Sequence, residues 1–174
     1  MIDLRAHITE IPDFPQPGIL FRDLLPLVAD PVLHAEVVRR LVAFAAPLQP
    51  DVIVGAEARG FLFGPTLAHE LGCGFAPARK PGKLPSSAWR QAYALEYGDN
   101  ALELAHYAIH PGTRVLIHDD LLATGGTAHA SISLVRQASA EPVGACFVAE
   151  LKGLDGRARL EGLPTLSLVE YDGA

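Results

Sequence analysis

The stretch RVLIHDDLLATGGTAHA, residues 114–130, decides the fold of this chain. Its first part is an apolar run typical of a buried strand, and the run ends in two adjacent acids, Asp119 and Asp120. A glycine-rich loop follows, and the sequence TAHASISLVRQASA after the loop predicts a helix. A strand, a tight loop and a helix in this order indicate part of an α/β fold.

The rest of the chain continues this alternation. The segment ADPVLHAEVVRRLVAFAAPL predicts a helix with Asp30 as N-cap and Pro31 in its first turn. FLFGPTLAHELG predicts a second helix that ends at Gly72, and AYALEYGDNALELAHYAI alternates on both sides of GDN, which predicts a β-hairpin. Further strands are predicted at DVIVG, GFAPAR, VGACFVAEL and TLSLVEY. We therefore expect one α/β domain over residues 1–174, with a mostly parallel central sheet flanked by helices.

Composition narrows the function classes. A net charge of -6 argues against broad nucleic-acid binding. Cys73 and Cys146 are far apart in the sequence and form no C-x-x-C pair, so neither a zinc site nor a disulfide framework is indicated. No apolar run approaches the roughly 18 residues of a membrane span, and the first 15 residues do not resemble a signal peptide. We expect a cytoplasmic protein with no membrane or nucleic-acid partner.

The loop after the two acids has the features of a phosphate site. Gly125 and Gly126 allow the backbone to curl towards a ligand, and the hydroxyls of Thr124 and Thr127 can donate to phosphate oxygens. The following helix N-terminus also favours an anion. The carboxylates would repel a phosphate, but they can accept hydrogen bonds from vicinal hydroxyls or hold Mg²⁺ through water. A ribose 5-phosphate satisfies both halves of this pattern.

Two other phosphate motifs are missing from the sequence. GAEARGF has glycines at the P-loop spacing but lacks the following Lys-Ser/Thr, and the sequence contains no G-x-G-x-x-G. An ATP-type P-loop or a dinucleotide-binding site is therefore not expected.

The segment VLIHDDLLATGGTA resembles the phosphoribosyl-diphosphate motif of the type I phosphoribosyltransferases. Four further segments, IPDFPQPGILFRDLLPLVADP, VIVGAEARGFLFG, ARKPGKLPS and YALEYGDNALEL, resemble the adenine phosphoribosyltransferases, and the matches run in order from about residue 11 to 171. The resemblance implies a type I phosphoribosyltransferase-like fold. It adds a small hood, formed by about residues 1–30 and 150–174, and a mobile β-hairpin loop.

The resemblance also implies a reaction. Members of this family transfer the 5-phosphoribosyl group from phosphoribosyl diphosphate to adenine and release AMP and pyrophosphate. The implied partners are these small-molecule substrates and a second copy of the chain in a homodimer. The implied cofactor is Mg²⁺, held by the substrate and through water by Asp119 and Asp120 rather than directly by the protein.

Site residues follow from the same resemblance. Glu96 is implied as the catalytic group that helps to protonate the purine, and Arg59 as a catalytic residue in a pyrophosphate loop that contains an unusual cis peptide. Phe21 is implied to stack on adenine, with Leu20 and Arg22 contributing backbone contacts and Leu154 on the opposite face. The phosphoribosyl-binding set is Asp119, Asp120, Ala123, Thr124, Gly125, Gly126 and Thr127, and the pyrophosphate-binding set is Arg59, Arg79, Lys80 and Lys83.

Three alternatives stay open at the level of sequence. The chain could sense phosphoribosyl diphosphate without turning it over, although such proteins usually carry an additional DNA-binding domain. It could also use a 6-oxopurine instead of adenine. His118, where the family usually has an aliphatic residue, is either a core histidine bonded to backbone or a group that makes donor affinity depend on pH near neutrality.

Overall fold

A computed structural model describes residues 2–94, 99–160 and 162–173. Within these ranges the chain forms nine strands and four α-helices, together with short 3₁₀ turns. The helices are α1 (Leu25–Ala29), α2 (Pro31–Ala45), α3 (Gly64–Leu71) and α4 (Gly126–Gln137). The strands are β1 (Thr9–Pro12), β2 (Leu20–Asp23), β3 (Val52–Ala56), β4 (Gly74–Ala78), β5 (Ala88–Ala94), β6 (Asp99–Ala105), β7 (Arg114–Leu122), β8 (Glu141–Leu151) and β9 (Thr165–Tyr171).

Five of the strands form the central sheet in the order β4-β3-β7-β8-β9, and each neighbouring pair is parallel. One face of the sheet packs against α2 and α3 through a core that includes Val37, Leu41, Leu67 and Leu116. The other face packs against α4 and the β5–β6 hairpin. The α/β fold with a parallel sheet flanked by helices is thereby confirmed.

Local sequence signals explain where the helices begin and end. The carboxylate of Asp30 accepts hydrogen bonds from the backbone N–H of Val32 and Leu33, which caps α2 as predicted. Gly72 ends α3 with a φ of 66°, a conformation that glycine adopts without steric cost. The predicted start of α3 at Phe61 was wrong, because residues 59–61 form a separate 3₁₀ turn.

Two antiparallel hairpins lie outside the central sheet. The predicted hairpin is present as β5 and β6, which pair from Ala88–Ala105 to Ala94–Asp99. The predicted turn at GDN was wrong in part, because Asp99 and Asn100 already belong to β6 and pair with Ala94 and Tyr93. The pairing of β1 with β2 was not predicted. No helix within the described residues is long and apolar enough to cross a membrane.

Candidate active site

The site is built around the end of β7 and the phosphate loop, residues 123–127. Strand β7 runs through both acids to Leu122, so it continues beyond Asp119 and Asp120, which the sequence predicted to mark its carboxyl end. A cavity of about 150 Å³ lies at this end of the strand. Its lining comprises Arg59, Asp119, Leu121, Leu122, the whole phosphate loop, Ala128 and Phe147.

The phosphate loop leads directly into α4. Gly125 occupies the N-cap position with a φ of 76°, and no side chain caps the helix there. The first turn of α4 contains no acidic residue. The first backbone N–H groups of a helix have no intrahelical acceptor and carry a partial positive charge, so this end of α4 suits an anion.

Successive side chains of a strand point to opposite sides, and this separates the two acids. Asp119 lines the cavity. Asp120 is only 1% exposed, and its Oδ2 lies 3.2 Å from Nε of Arg59. Burial, followed by the negative charge of Asp120, raises the pKa of Asp119 well above its usual value. Burial also raises the pKa of Asp120, although Arg59 partly offsets this effect.

Arg59 is carried by the arginine loop, residues 57–60, which follows β3. The Glu57–Ala58 peptide bond is cis, as the family resemblance implied. Gly60 lets this loop approach β7 closely, because a Cβ there would lie 2.9 Å from the backbone oxygen of His118 and 3.3 Å from Oδ1 of Asp119. The backbone of the arginine loop therefore packs directly on the strand that bears the acids.

The residues predicted to bind the base, Leu20, Phe21 and Arg22, lie on β2, and Phe21 lies beside the same arginine. The guanidinium carbon of Arg59 is 5.8 Å from the ring centroid of Phe21, within the range of a cation–π contact. The neighbouring Arg22 is buried, where it pairs with Glu10 at 3.3 Å and packs over the ring of Tyr171. Since its side chain is engaged in this way, any contact of Arg22 with a base would involve its backbone.

Gly156 allows the segment that contains Leu154 to approach the phosphate loop closely. Leu154 ends a 3₁₀ turn and is half-buried against the core. Two residues later, a Cβ on Gly156 would lie 2.1 Å from the backbone oxygen of Ala123 and 2.9 Å from the backbone nitrogen of Gly125. The phosphate loop is therefore in backbone contact with the start of the next 3₁₀ turn, Gly156–Leu160.

Three of the four predicted pyrophosphate-binding cations, Arg79, Lys80 and Lys83, lie on the turn after β4, outside the lining described for the cavity. Arg79 is half-buried and forms an ion pair with Glu57 at 3.1 Å. Lys80 and Lys83 are exposed. Their contact with a diphosphate stays a prediction.

The predicted catalytic Glu96 lies outside the described residues, as does Tyr97. The two strands that flank it, β5 and β6, pack against α4 through residues such as Trp89, Leu102 and Leu104. The role of Glu96 stays a prediction.

Of the two roles considered for His118, the structure supports that of a core histidine bonded to the backbone. It is fully buried, and its Nδ1 lies 3.1 Å from the backbone oxygen of Cys146. Burial lowers the pKa of His118 to about 4. The imidazole is therefore uncharged around neutral pH, which favours the core histidine over a group that tunes donor affinity near pH 7.

Two residues near the site were missed in the sequence. Phe147 is fully buried on β8 and lines the cavity, but an apolar residue in a buried strand carries no sign of a ligand. Glu57 contacts the turn that carries the predicted cations. Its proximity to Arg79 arises because β3 and β4 are parallel neighbours, which the sequence alone does not reveal.

This chain is similar to known proteins in both sequence and structure. The family model of the phosphoribosyl transferase domain matches residues 35–161. An adenine phosphoribosyltransferase of Synechococcus sp. is 51% identical over 98% of this chain and 100% of its own length.

Solved structures extend the similarity to three dimensions. The adenine phosphoribosyltransferase of Thermoanaerobacter pseudethanolicus is 44% identical, with a TM-score of 0.93 over 97% of this chain and 98% of that chain. The enzyme of Saccharomyces cerevisiae, solved with an imino-altritol bisphosphate and adenine, is 42% identical with a TM-score of 0.91, over 95% of this chain and 96% of that chain. This chain therefore belongs to the phosphoribosyltransferase family and, within it, to the adenine phosphoribosyltransferases.

Proposed function

We propose that this enzyme transfers the 5-phosphoribosyl group from phosphoribosyl diphosphate to adenine, forming AMP and pyrophosphate in purine salvage. The observation that carries this proposal is the position of Arg59. Its guanidinium lies 3.2 Å from Asp120 on the ribose side and 5.8 Å from the ring of Phe21 on the base side, and it also lines the cavity above the phosphate loop. A base, a ribose and a leaving diphosphate would meet at this residue.

The donor half of the site follows from the chemistry of its groups. Asp119 and Asp120 accept hydrogen bonds from the ribose hydroxyls, with Asp119 the more accessible of the two. The backbone of the phosphate loop, the hydroxyls of Thr124 and Thr127 and the N-terminus of α4 bind the 5-phosphate. Arg59, Arg79, Lys80 and Lys83 stabilise the negative charge that develops on the departing pyrophosphate.

The acceptor half binds a flat aromatic base. Phe21 stacks on one face of adenine and Leu154 covers the other, while the backbone of Leu20 and Arg22 contacts the edge of the ring. Glu96 helps to protonate the imidazole nitrogen of the purine as the new bond forms, a role that requires a raised pKa such as burial would produce.

Mg²⁺ is the proposed cofactor, entering with the donor. Within the described residues no group of three or more His, Cys, Asp or Glu side chains could hold a metal ion. The carboxylates of Asp119 and Asp120 nevertheless fit Mg²⁺, which keeps several waters and is often bound by one or two carboxylates together with substrate phosphates. When bound, the ion neutralises negative charge on the diphosphate.

We also propose that the enzyme is a cytoplasmic homodimer. Symmetric dimers are the commonest oligomers. Sedimentation analysis of the purified enzyme tests the oligomeric state, and a monomer at all protein concentrations would contradict this part of the proposal.

The reaction is tested by offering the purified enzyme phosphoribosyl diphosphate, Mg²⁺ and one base at a time. Released pyrophosphate is measured and the nucleotide is identified. We expect AMP with adenine and little product with hypoxanthine, guanine or xanthine. Turnover of an oxopurine alone would overturn the base assignment, whereas tight donor binding without turnover of any base would favour a sensor.

A further inference from the structure

We propose that Glu57 is a positioning residue of the donor site. Its carboxylate holds the cationic turn, residues 79–83, against the arginine loop, so that Lys80 and Lys83 are presented in a fixed place to the diphosphate. This inference rests on the proposed function, because it concerns how that donor is bound.

The first support is the geometry of the carboxylate. Oε1 of Glu57 accepts from Nη2 of Arg79 at 3.1 Å, and Oε2 accepts from Nε of the same arginine at 3.3 Å. Oε2 also accepts from the backbone N–H of Lys80 at 2.9 Å. One side chain thus fixes both the guanidinium and the backbone at the start of the cationic turn.

Arg79 transmits this contact to the other end of the turn. Its Nη1 donates to the backbone oxygen of Lys83 at 3.1 Å. Glu57, the guanidinium and the carbonyl of Lys83 therefore form a continuous chain of hydrogen bonds across the turn. Arg79 uses three of its five N–H groups in these contacts, which leaves two for a ligand.

The distribution of charge is the second support. Hydrogen bonds from Arg79 and from the backbone of Lys80 lower the pKa of Glu57, so its carboxylate is charged at neutral pH. Within the described part of the chain, no hydrogen bond or ion pair is formed by the ammonium groups of Lys80 and Lys83. Glu57 therefore balances the positive charge of Arg79 while both lysines keep their donors available.

The opposite side of the turn is fixed by the hairpin. The backbone groups of Arg79 and Glu103 exchange hydrogen bonds of 2.8 and 2.7 Å, and the carboxylate of Glu103 accepts from the N–H of Gly82 at 3.1 Å. Since Glu103 lies on β6, it ties the turn to the hairpin. The carboxylate of Glu57 ties the same turn to the loop that carries Arg59.

The test is the substitution Glu57→Gln, which keeps the size of the side chain and removes its charge. We expect the KM for phosphoribosyl diphosphate to rise about tenfold, the loss expected for one charge-assisted hydrogen bond. The KM for adenine should change less than about twofold, because the hydrogen bonds that Glu57 accepts come from Arg79 and Lys80 and not from the base-binding residues. Direct titration with pyrophosphate should show the same weakening in the absence of catalysis.

Glu36→Gln is the matched control. The Glu36 carboxylate also accepts hydrogen bonds from arginines, Arg39 and Arg40, but it lies on α2 away from the cavity. This variant should keep the wild-type KM for both substrates. Glu57→Asp retains a carboxylate on a shorter side chain, and its donor KM should fall between those of the wild type and Glu57→Gln.

A double substitution, Glu57→Gln with Arg79→Gln, tests whether Glu57 acts through the arginine. If it does, the double variant is little worse than the more damaged single variant. Multiplicative effects in this double variant would overturn the inference, and so would an unchanged donor KM in Glu57→Gln or an equal change in the KM for adenine. If Glu57→Gln does not fold, the same KM comparison is made with Glu57→Asp, and an unchanged donor KM there overturns the inference.

Failure of the inference is distinguishable from failure of the proposed function. A wild-type enzyme that makes no AMP from adenine contradicts the function. A wild-type enzyme that makes AMP, compared with a Glu57→Gln variant of unchanged donor KM, contradicts only the role of Glu57.

Discussion

His118 is a titratable side chain placed in the apolar core, and its burial links stability to pH. The pKa of His118 is lowered to about 4 in the folded state, against about 6.5 for an exposed histidine. Between these values the unfolded chain binds a proton that the folded chain does not. Above about pH 6.5 the neutral His118 does not reduce the free energy of unfolding. As the pH drops from there towards 4, the free energy of unfolding falls, because the unfolded chain takes up the proton more readily.

We predict that His118→Val loses less stability than the wild type on acidification. Each unit of pKa shift corresponds to about 1.4 kcal/mol, so the difference between the two proteins should reach a few kcal/mol by about pH 4.5. Urea unfolding at about pH 7, 5.5 and 4.5 measures this difference. His110→Gln, which changes an exposed histidine, is the control and should follow the wild type.

Parallel stability curves for His118→Val and the wild type would contradict the assignment of a neutral core histidine. The other titrating groups, including the buried acids, are present in both proteins and so cancel in the comparison. The same reasoning predicts that the pH dependence of the donor KM around neutrality is unchanged in His118→Val.

At the scale of elements, the phosphate loop takes its shape partly from the segment after β8. Gly156 is in close contact with this loop, because a Cβ there would lie 2.1 Å from the backbone oxygen of Ala123. We predict that Gly156→Ala displaces the loop and raises the donor KM by about tenfold or more. It should also lower the free energy of unfolding by roughly 1–3 kcal/mol, the usual cost of overpacking.

Initial-rate kinetics and urea unfolding of Gly156→Ala measure both effects. Gly74→Ala is the matched control, because a Cβ at Gly74 meets its nearest neighbour, Cγ2 of Val52, at an ordinary distance of 3.4 Å. A donor KM in Gly156→Ala equal to that of Gly74→Ala would show that the loop does not depend on this contact.

The sequence predicted the ends of elements well where a single residue determines them through its own local hydrogen bonds or backbone conformation. Asp30 and Gly72 mark the ends of helices through their own hydrogen bonds and backbone angles, and both predictions were confirmed. The end of β7 was placed too early because two acids look like the end of an apolar run. In the fold, Asp119 and Asp120 are held in the strand by pairing with β8, which is a tertiary effect.

The β1–β2 hairpin escaped prediction for a similar reason. Strand β1 is exposed along its length and consists of TEIP, so it has no apolar alternation to detect. Its pairing with β2 depends on the intervening segment, in which Asp13 accepts a hydrogen bond from the N–H of Gly18 at 2.8 Å. The resemblance assigned Leu20, Phe21 and Arg22 of β2 to the base pocket, but neither it nor the periodicity predicted a strand there.

At the scale of the whole molecule, the site is assembled from segments that are distant in sequence. Phe21, Arg59, Asp120 and Gly156 come from four separate parts of the chain and meet at the ends of the parallel strands, where α/β proteins usually bind ligands. The sequence identified these segments through their motifs. It could not show that Asp119 faces the cavity while Asp120 faces Arg59, since this depends on how the arginine loop packs on β7.

The negative charge of Asp119 on β7 is unfavourable in the folded state near neutral pH. Burial and mutual repulsion raise the pKa of Asp119, so the folded state favours the protonated form more than the unfolded state does. A group with a raised pKa contributes stability at low pH that is lost as the pH rises. Near neutral pH, Asp119 therefore lowers the stability of the free enzyme.

We predict that phosphoribosyl diphosphate with Mg²⁺ raises the Tm of the wild-type enzyme, because a ligand that binds only the folded state stabilises the whole domain. At about 100 times the Kd the gain is about 2.7 kcal/mol, or roughly 5–10 °C for a chain of this size. Asp119→Asn should have a Tm at least as high as the wild type without ligand, since Asn removes the buried charge, but it should lose most of the ligand-induced increase.

Thermal unfolding with and without the donor measures both effects, and Glu36→Gln should keep the full increase. An equal increase in Asp119→Asn and the wild type would show that Asp119 does not bind the donor, and a lower Tm of the free variant would show that its carboxylate stabilises the fold.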